Sequence, residues 1–595
     1  MKNNVITILI DSVFSECLGT GKTKVSSTPF MDKMISEGIF TPNIYSYGPY
    51  TDAATKGLYS GQPSLRDYGY YFALNSTDYY HFRTFKENGY ETYAFYYPYY
   101  LIGSKVRKYI DNTVYSGGFD LPAVWLGKYG YYAERRKEHG LNEIEYKILI
   151  NYTDLLFDCW MNFYKKIEND PQSVCIIKDT QKCQAVGHPI LKEEFDKYNL
   201  DKISYINDLL DRGFGHPFAS IKDYVYDNAI DGNFLRKNVY GRYKSFFKKL
   251  DKKEFWLNLK NNRFSLIDCL TNKTYLKNTV LCLFSGRYSR RISVKPEWEL
   301  VSSMQKKLDA VFEILEKKGQ GDKPFYISLH TEEPHNSITY FTYDMKDQTL
   351  LDEEFAYMEP LLDGCGKQFK GNLLYQLSLR YVDLCLKRLV DKLKELNLLD
   401  NTTIALIADH GTSYFYDPVR KTVVNNFYKE NYRTPLVVWN YNNKELKSGI
   451  YQGLYSAEDV QKTISRAVDL EMIPSQYKGF AVPELPEGRD FVITEYMGPG
   501  CPDMLSREVW MTGRNKKYSI AYKNPISEEF NENAPVELYN LEKDPKELHN
   551  LVNSVDIKDD EEVNVLAKAV RHRFDEIRKE TNKFIDNLDN WNVLL

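Results

Sequence analysis

The stretch Ile404-Ala-Leu-Ile-Ala-Asp409-His410-Gly411 decides how this chain is read. Small and apolar residues run straight into an Asp-His pair and a glycine. A short continuous apolar run of this kind suits a strand buried on both faces. Polar groups just past it sit at the strand's carboxyl end, where open α/β sheets place their ligands. Asp409 and His410 offer one carboxylate oxygen and one imidazole nitrogen, a natural pair of ligands for a divalent metal. Alone, such a pair serves equally as a turn cap or a satisfied surface pair. The metal reading therefore needs further ligands and a nucleophile from elsewhere in the chain.

Working outward, the same grammar recurs. Val5–Ile10 is a β-branched run that ends at Asp11-Ser12. Pro324-Phe-Tyr-Ile-Ser-Leu-His330 is another apolar run, followed by Glu333-Pro334-His335. Between them, Tyr47-Gly-Pro-Tyr50 marks a turn, and the small residues after Thr51 start a helix. A hydroxyl at a helix N-terminus faces free backbone N–H groups, a good place for an anion and for a nucleophile. The bland alternative is that Thr51 is simply an N-cap. Thr28-Pro29 opens an apolar-striped helix that Gly38 closes. Asn372–Leu396 carries leucines at helical spacing and predicts an amphipathic helix on the sheet. Arg433–Trp439 reads as one more strand. After about 480 the chain is rich in strands and turns, at Asp490–Tyr496, Val509–Thr512 and Tyr518–Tyr522, and it ends in a charged helix, roughly Glu561–Phe584.

The chain has 595 residues, too many for one compact core, so two or more domains are expected. Hydrophobic residues at 43% and charged residues at 27% fit a soluble globular protein. A net charge of -4 gives no reason to expect nucleic acid as a partner. The 49 tyrosines point to a compositional bias before a sugar-binding surface. Nine scattered cysteines form neither a disulfide framework nor a metal-spaced pair, which favours a reducing compartment. The apolar run after Met1 is too short to span a bilayer and has no cleavage site behind it. A cytoplasmic protein without an integral membrane segment is expected. From about 105 to 300 helical patches alternate with polar, aromatic loops. His188 and His216, each in a Gly-His-Pro turn, read as structural before metal-binding. The locally basic Lys237–Lys253 and Arg287–Lys295 read as solvated faces before anion sites.

Asp11, Thr51, His335 and Asp409-His410, each at the end of a separate element, describe a hard-metal site with an oxygen nucleophile. The arrangement resembles the sulfatase family of the alkaline phosphatase superfamily. The resemblance is carried by Ile8-Leu-Ile-Asp11-Ser, Thr28-Pro-Phe-Met-Asp-Lys-Met, Thr51 through Gly61, Leu329-His330 through His335, Arg380-Tyr-Val-Asp383, Leu399 through Gly411 and Arg433-Thr-Pro-Leu. Glu537-Leu-Tyr-Asn-Leu through Leu551 is similar to the family's closing signature. It implies an α/β fold: a large mixed, mainly parallel sheet between helices, with a smaller C-terminal antiparallel sheet. Residues 1–480 would form the catalytic domain, with 105–300 as a capping insertion, and 481–595 a small-sheet subdomain. Asp11, Asp409 and His410 would be metal ligands, joined by Thr51 at the nucleophile position. His335 would contact the transferred group, and Lys56, His330, Lys421 and Asn425 would line the substrate.

Departures from the family pattern set the expected chemistry. Sulfatases convert a Cys or Ser to formylglycine within Cys-x-Pro-Ser-Arg; here the stretch is Thr51-Asp-Ala-Ala-Thr55, and threonine is no precursor. The family's Gly-Lys-x-His segment reads Tyr96-Tyr97-Pro98-Tyr99. Threonine nucleophiles belong to the phosphoryl-transferring relatives. The leading expectation is thus a phosphoryl-transfer enzyme, hydrolase or transferase. It would use one divalent ion, Mn²⁺ or Zn²⁺ before Ca²⁺, and no formylglycine. Its substrate would be a phosphorylated small molecule or glycan precursor, with oligomerisation left open. The alternatives are a sulfuric ester hydrolase without formylglycine and a degenerate relative that binds an anionic glycan or a partner.

Overall fold

The computed structural model describes residues 2–18, 25–49, 51–63, 79–96, 108–115, 304–318, 323–334, 353–360, 373–411, 416–417, 422–423, 428–496, 508–553 and 560–586, apart from a few single positions, with scattered segments between 132 and 211 and at 270 and 276. Most of the 105–300 stretch, including His188, His216 and both basic segments, lies outside the described residues.

The strands are β1 (Asn4–Ile10), β2 (Ile39–Tyr45), β3 (Glu91–Tyr96), β4 (Asn112–Tyr115), β5 (Phe325–Thr331), β6 (Thr402–Ile407), β7 (Tyr416–Asp417), β8 (Thr422–Val423), β9 (Arg433–Trp439), β10 (Gly449–Ile450), β11 (Tyr455–Ser456), β12 (Val492–Tyr496), β13 (Glu508–Arg514), β14 (Tyr518–Pro525) and β15 (Glu537–Asn540). The large sheet runs β10-β2-β9-β6-β1-β5-β3-β4, with β11 also on β2. All its described pairings are parallel except those of β9, which runs antiparallel to both β2 and β6. The sheet is therefore mixed and mainly parallel. β12 to β15 form a separate antiparallel sheet.

Three central strands, β1, β5 and β6, are buried along their whole length. That is why they read as unbroken apolar runs: both faces are covered. Side chains alternate along β1, and the two sets enter different cores. Ile6, Ile8 and Ile10 pack with helices α1 (Pro29–Glu37), α4 (Met304–Lys318) and α5 (Leu373–Glu395), while Val5 and Leu9 pack with α2 (Thr51–Ser60), α3 (Tyr80–Glu87) and α6 (Ala457–Ala467). Helix α1 starts at Pro29 and stops where the Gly38 N–H bonds Met34 O. Its first free N–H groups, on Phe30 and Met31, donate to the Asp383 carboxylate of α5 at 3.0 and 2.7 Å. The C-terminal helix α7 (Glu561–Asp586) buries Val563, Leu566, Val570, Phe574 and Ile577 at helical spacing and packs on β13 and β14.

Two elements within residues 105–300 are described. β4 extends the large sheet beside β3. A helix at Lys202–Asp211 buries Tyr205, Ile206, Leu209 and Leu210 in the core below α4 and α5.

Candidate metal centre and nucleophile

Strand register assembles the site. Leu9 pairs with His330 and Ile10 with Thr331 on one side of β1, and Leu9 pairs with Ile407 on the other. The carboxyl ends of β5, β1 and β6 are therefore level. Asp11, His330 and Asp409 meet there, buried, with ligand atoms within 4.8 Å of one another.

The backbone turns sharply at Ser12, whose φ is 62°. A non-glycine residue is uncommon in this left-handed region and marks an over-determined position. The Ser12 N–H donates to Asp409 Oδ1 at 3.0 Å and its hydroxyl to Asp11 Oδ1 at 2.7 Å. Tyr375 of α5 holds the turn from behind: its hydroxyl donates to Ser12 O at 2.8 Å and accepts the Phe14 N–H at 3.2 Å. The His410 N–H is a second donor to Asp409 Oδ1, at 2.8 Å. Asp409 Oδ2 is left buried with no hydrogen-bond partner among the described residues. Position 411 must be glycine, because a Cβ there would lie 1.7 Å from the Glu430 carbonyl oxygen.

His410 Nδ1 lies against Gly411 O at 2.5 Å. A carbonyl only accepts, so Nδ1 carries a proton. His410 Nε2 is 3.5 Å from Asp409 Oδ2, 3.6 Å from Asp11 Oδ1 and 3.2 Å from Thr51 Oγ1. Asp11 Oδ2 is 3.3 Å from both Thr51 Oγ1 and His330 Nε2. Thr51 is the first residue of α2 and half-buried, whereas His330 and His410 are each 1% exposed.

Near the cluster are two buried charged groups, Lys307 and Glu333, that simple sequence reading passes over. Lys307 of α4 donates from Nζ to His330 O at 2.7 Å. Glu333 accepts from the Met304 N–H at 3.1 Å and from the Thr331 hydroxyl. Burial lowers the Lys307 ammonium to about 8, against the pull of Glu333 and Asp11. Burial likewise raises Glu333, and it raises Asp409 with help from the neighbouring Asp11 charge. The available signal was that Lys307 falls on the same buried stripe as Met304, Leu308, Val311 and Leu315. A charge on such a stripe is buried for a reason.

Lys56 is fully buried in α2; five residues on from Thr51 it sits about 140° round the helix and does not share the Thr51 face. His335, Lys421 and Asn425 lie outside the described residues. His330, expected to line the substrate, stands against Asp11 and Asp409.

Comparison with known proteins agrees with this geometry. A sulfatase family model matches residues 3–178 and 226–470. The chain belongs to the sulfatase family. It is 24% identical over 276 residues to an arylsulfatase of Clostridium perfringens (strain 13 / Type A), a match covering 42% of this chain and 53% of that protein. The match thus spans about half the length of that relative. The crystal structure of Ps i-CgsB is similar in fold, with a TM-score of 0.50 at 13% identity, covering 100% of this chain and 98% of that one. The PsFucS1 sulfatase from Pseudoalteromonas sp. gives a TM-score of 0.48 at 13% identity, covering 98% and 91%. Nothing in these matches supports the phosphoester direction or the phosphorylated substrate expected from Thr51.

Sulfatases are generally metal-dependent, and the residues present fit a cation. Asp11, Asp409 and Glu333 are three buried carboxylates against one buried ammonium, Lys307. Buried charges of this kind are costly unless paired or bound to metal. His410 Nε2 stands beside two of these carboxylates, 3.6 Å from Asp11 Oδ1 and 3.5 Å from Asp409 Oδ2. The unpartnered Asp409 Oδ2 points the same way. Among the described residues, no helix is long and apolar enough to cross a membrane.

Proposed function

We propose that this sulfatase-family protein hydrolyses a sulfuric ester of an alcohol or phenol with Thr51 as the nucleophile. The observation that carries the reading is Thr51 Oγ1, 3.3 Å from Asp11 Oδ2 and 3.2 Å from His410 Nε2, on the first residue of a helix. A divalent ion held by Asp11, Asp409 and His410 would lower the pKa of a nearby hydroxyl and favour charge on the sulfuryl oxygens. Thr51 is half-buried, so its proton passes to water at the open side of the site. Oγ1 then attacks sulfur, the Oγ1–S bond forms, and the ester S–O bond breaks. The departing alkoxide or phenoxide takes a proton from solvent. Water next attacks the sulfur of the sulfo-threonine, releases sulfate and returns the Thr51 hydroxyl. The first N–H groups of α2 face the charged oxygens, as helix N-termini do for anions.

The residue itself favours a second reading. Threonine has no route to formylglycine, and a metal-side threonine suits phosphoryl transfer by the same two steps with phosphorus in place of sulfur. One experiment separates the two. Protein supplied with Zn²⁺ or Mn²⁺ is given an aryl sulfate and an aryl phosphodiester, with Thr51→Ala as control, and Thr51-containing peptides are examined by mass spectrometry. Aryl sulfate turnover lost in the variant, with a sulfo-adduct on Thr51, is the expected result. Turnover of the phosphodiester alone would replace the first reading with the second. Turnover of either ester that survives Thr51→Ala would remove Thr51 as nucleophile.

A further inference from the structure

We infer that a cavity at the far end of α2 from Thr51 binds a neutral sugar ring, apart from the metal centre and beyond the hydrolysis proposed above. The cavity measures about 320 Å³, within the range of small-ligand sites. Its walls come from the end of α2, the first residue of α3, the start of α6, β12 and α7. Ser60 and Gly61 line it, and Ser60 is about 14 Å along the helix axis from Thr51. The sequence makes room for its tyrosines with glycine. A Cβ on Gly57 would lie 2.2 Å from the Tyr47 ring, and a Cβ on Gly61 or Gly479 would lie 2.4 or 2.6 Å from the Tyr477 ring. The Tyr47 ring is thereby laid along α2, toward its C-terminal end.

The lining decides the ligand. Its buried charges are already matched. Arg489 donates to both oxygens of Asp459 at 2.7 Å each and stands 2.6 Å from Glu458 Oε1, while Glu458 Oε2 accepts the Tyr47 hydroxyl. Arg573 faces Glu495 Oε2 at 3.3 Å and donates to Glu576 at 3.1 Å. A charged ligand would have to break one of these pairs, a costly exchange away from water. Lys478, which also lines the cavity, is exposed to solvent. Hydroxyl groups need no such break, because a carboxylate keeps further lone pairs and a guanidinium further N–H donors after pairing. The rest of the lining includes aromatic faces. The Tyr80 and Tyr477 rings meet at 80° with centroids 6.2 Å apart, and Phe491, partly exposed, stands on the same cavity. Tyr80 and Tyr477 form a corner, not the parallel slot that would clamp a flat heteroaromatic ring. A pyranose suits such a corner: its C–H faces lie on aromatic faces, and its rim of hydroxyls reaches the paired charges.

The test uses the full chain and saturation-transfer nuclear magnetic resonance. D-glucose, D-galactose, D-mannose and N-acetyl-D-glucosamine are titrated as neutral probes, with D-glucuronate and D-glucosamine as charged ones. The expected result is saturable transfer to at least one neutral sugar, with its affinity at least about threefold weaker in Phe491→Ala and in Tyr80→Leu. Transfer to none of the neutral sugars would overturn the inference. Affinity within that margin of wild type in both variants would overturn it too, because the sugar would then sit elsewhere. A charged probe bound more tightly than every neutral one would overturn the neutral assignment. Phe491 is partly exposed, so its truncation should leave the fold intact, and the wild-type titration stands whether or not Tyr80→Leu folds. Ester turnover through Thr51 is a separate readout, and its failure would leave sugar binding in this cavity untouched.

Discussion

Acid should weaken this protein through one histidine remote from the metal centre. His81 is buried in α3 at 1% exposure, stacked on Tyr59 of α2 with ring centroids 4.8 Å apart and edge-on to Tyr326 of β5. Its Nδ1 donates to Tyr59 O at 3.2 Å, and its Nε2 has no hydrogen-bond partner among the described residues. Burial pulls its pKa from 6.5 down to about 3. The folded protein therefore holds His81 neutral while the unfolded chain takes up a proton below about 6.5. Stability from this group is complete above that value and is lost as pH falls toward 3. The full loss is about 5 kcal/mol, at about 1.4 kcal/mol per pH unit, and about 2.7 kcal/mol of it is gone by about pH 4.5. Urea unfolding at about pH 7 and about pH 4.5, on wild type and His81→Phe, measures it. The variant keeps the ring stack and removes the unpartnered nitrogen, so its stability at neutral pH should stay within about 1 kcal/mol of wild type. Carboxylates that titrate over the same range cancel in the difference between the two proteins. If both lose equal stability on acidification, the account of His81 is wrong.

Three further outcomes follow from the geometry. Tyr375→Phe leaves Ser12 O and the Phe14 N–H without their hydroxyl partner, so it should cost about 1–3 kcal/mol in denaturant unfolding and weaken Zn²⁺ binding in calorimetry; unchanged metal affinity would show that the Ser12 turn holds itself. Glu547→Gln removes the charge facing Arg514 in a pair that is 2% and 4% exposed, and thermal unfolding should register a loss of about 3–5 kcal/mol. Gly411→Ala forces a methyl group into the Glu430 carbonyl, and the strain should lower the unfolding midpoint by the equivalent of about 3 kcal/mol and reduce metal uptake with it.

Much of the fold was legible because its central strands are buried on both faces. Such strands spell themselves as apolar runs, and the polar residue that breaks each run marks the sheet's carboxyl edge. Asp11, His330 and Asp409 were found in that way. Strand direction was not legible. Arg433-Thr-Pro-Leu reads as a strand whichever way it runs, and only its neighbours show that β9 is antiparallel. Pro435 in an inner strand would ordinarily argue against that position. Here β2 bulges opposite it, between Thr41 and Ile44, and β6 pairs no further along β9 than Leu436, so the missing N–H breaks no ladder bond.

The surroundings of His330 were obscured for a different reason. Local sequence places it one residue before the end of its strand, beside other polar groups, and from there it could equally face substrate or metal. What it stands against depends on which strand lies alongside. β1 pairs with β5 across more than three hundred residues of chain and sets Leu9 opposite His330. Adjacency of that range leaves no trace in periodicity or spacing. Lys307 carries the same lesson from the other side: an amphipathic pattern assigns a lysine to solvent, yet this one is buried, within reach of the charges of Glu333 and Asp11. The fold is written in the apolar residues, strand by strand. The site depends on where those strands meet, and charged residues out of place on an apolar stripe are the sequence's main hint of that meeting.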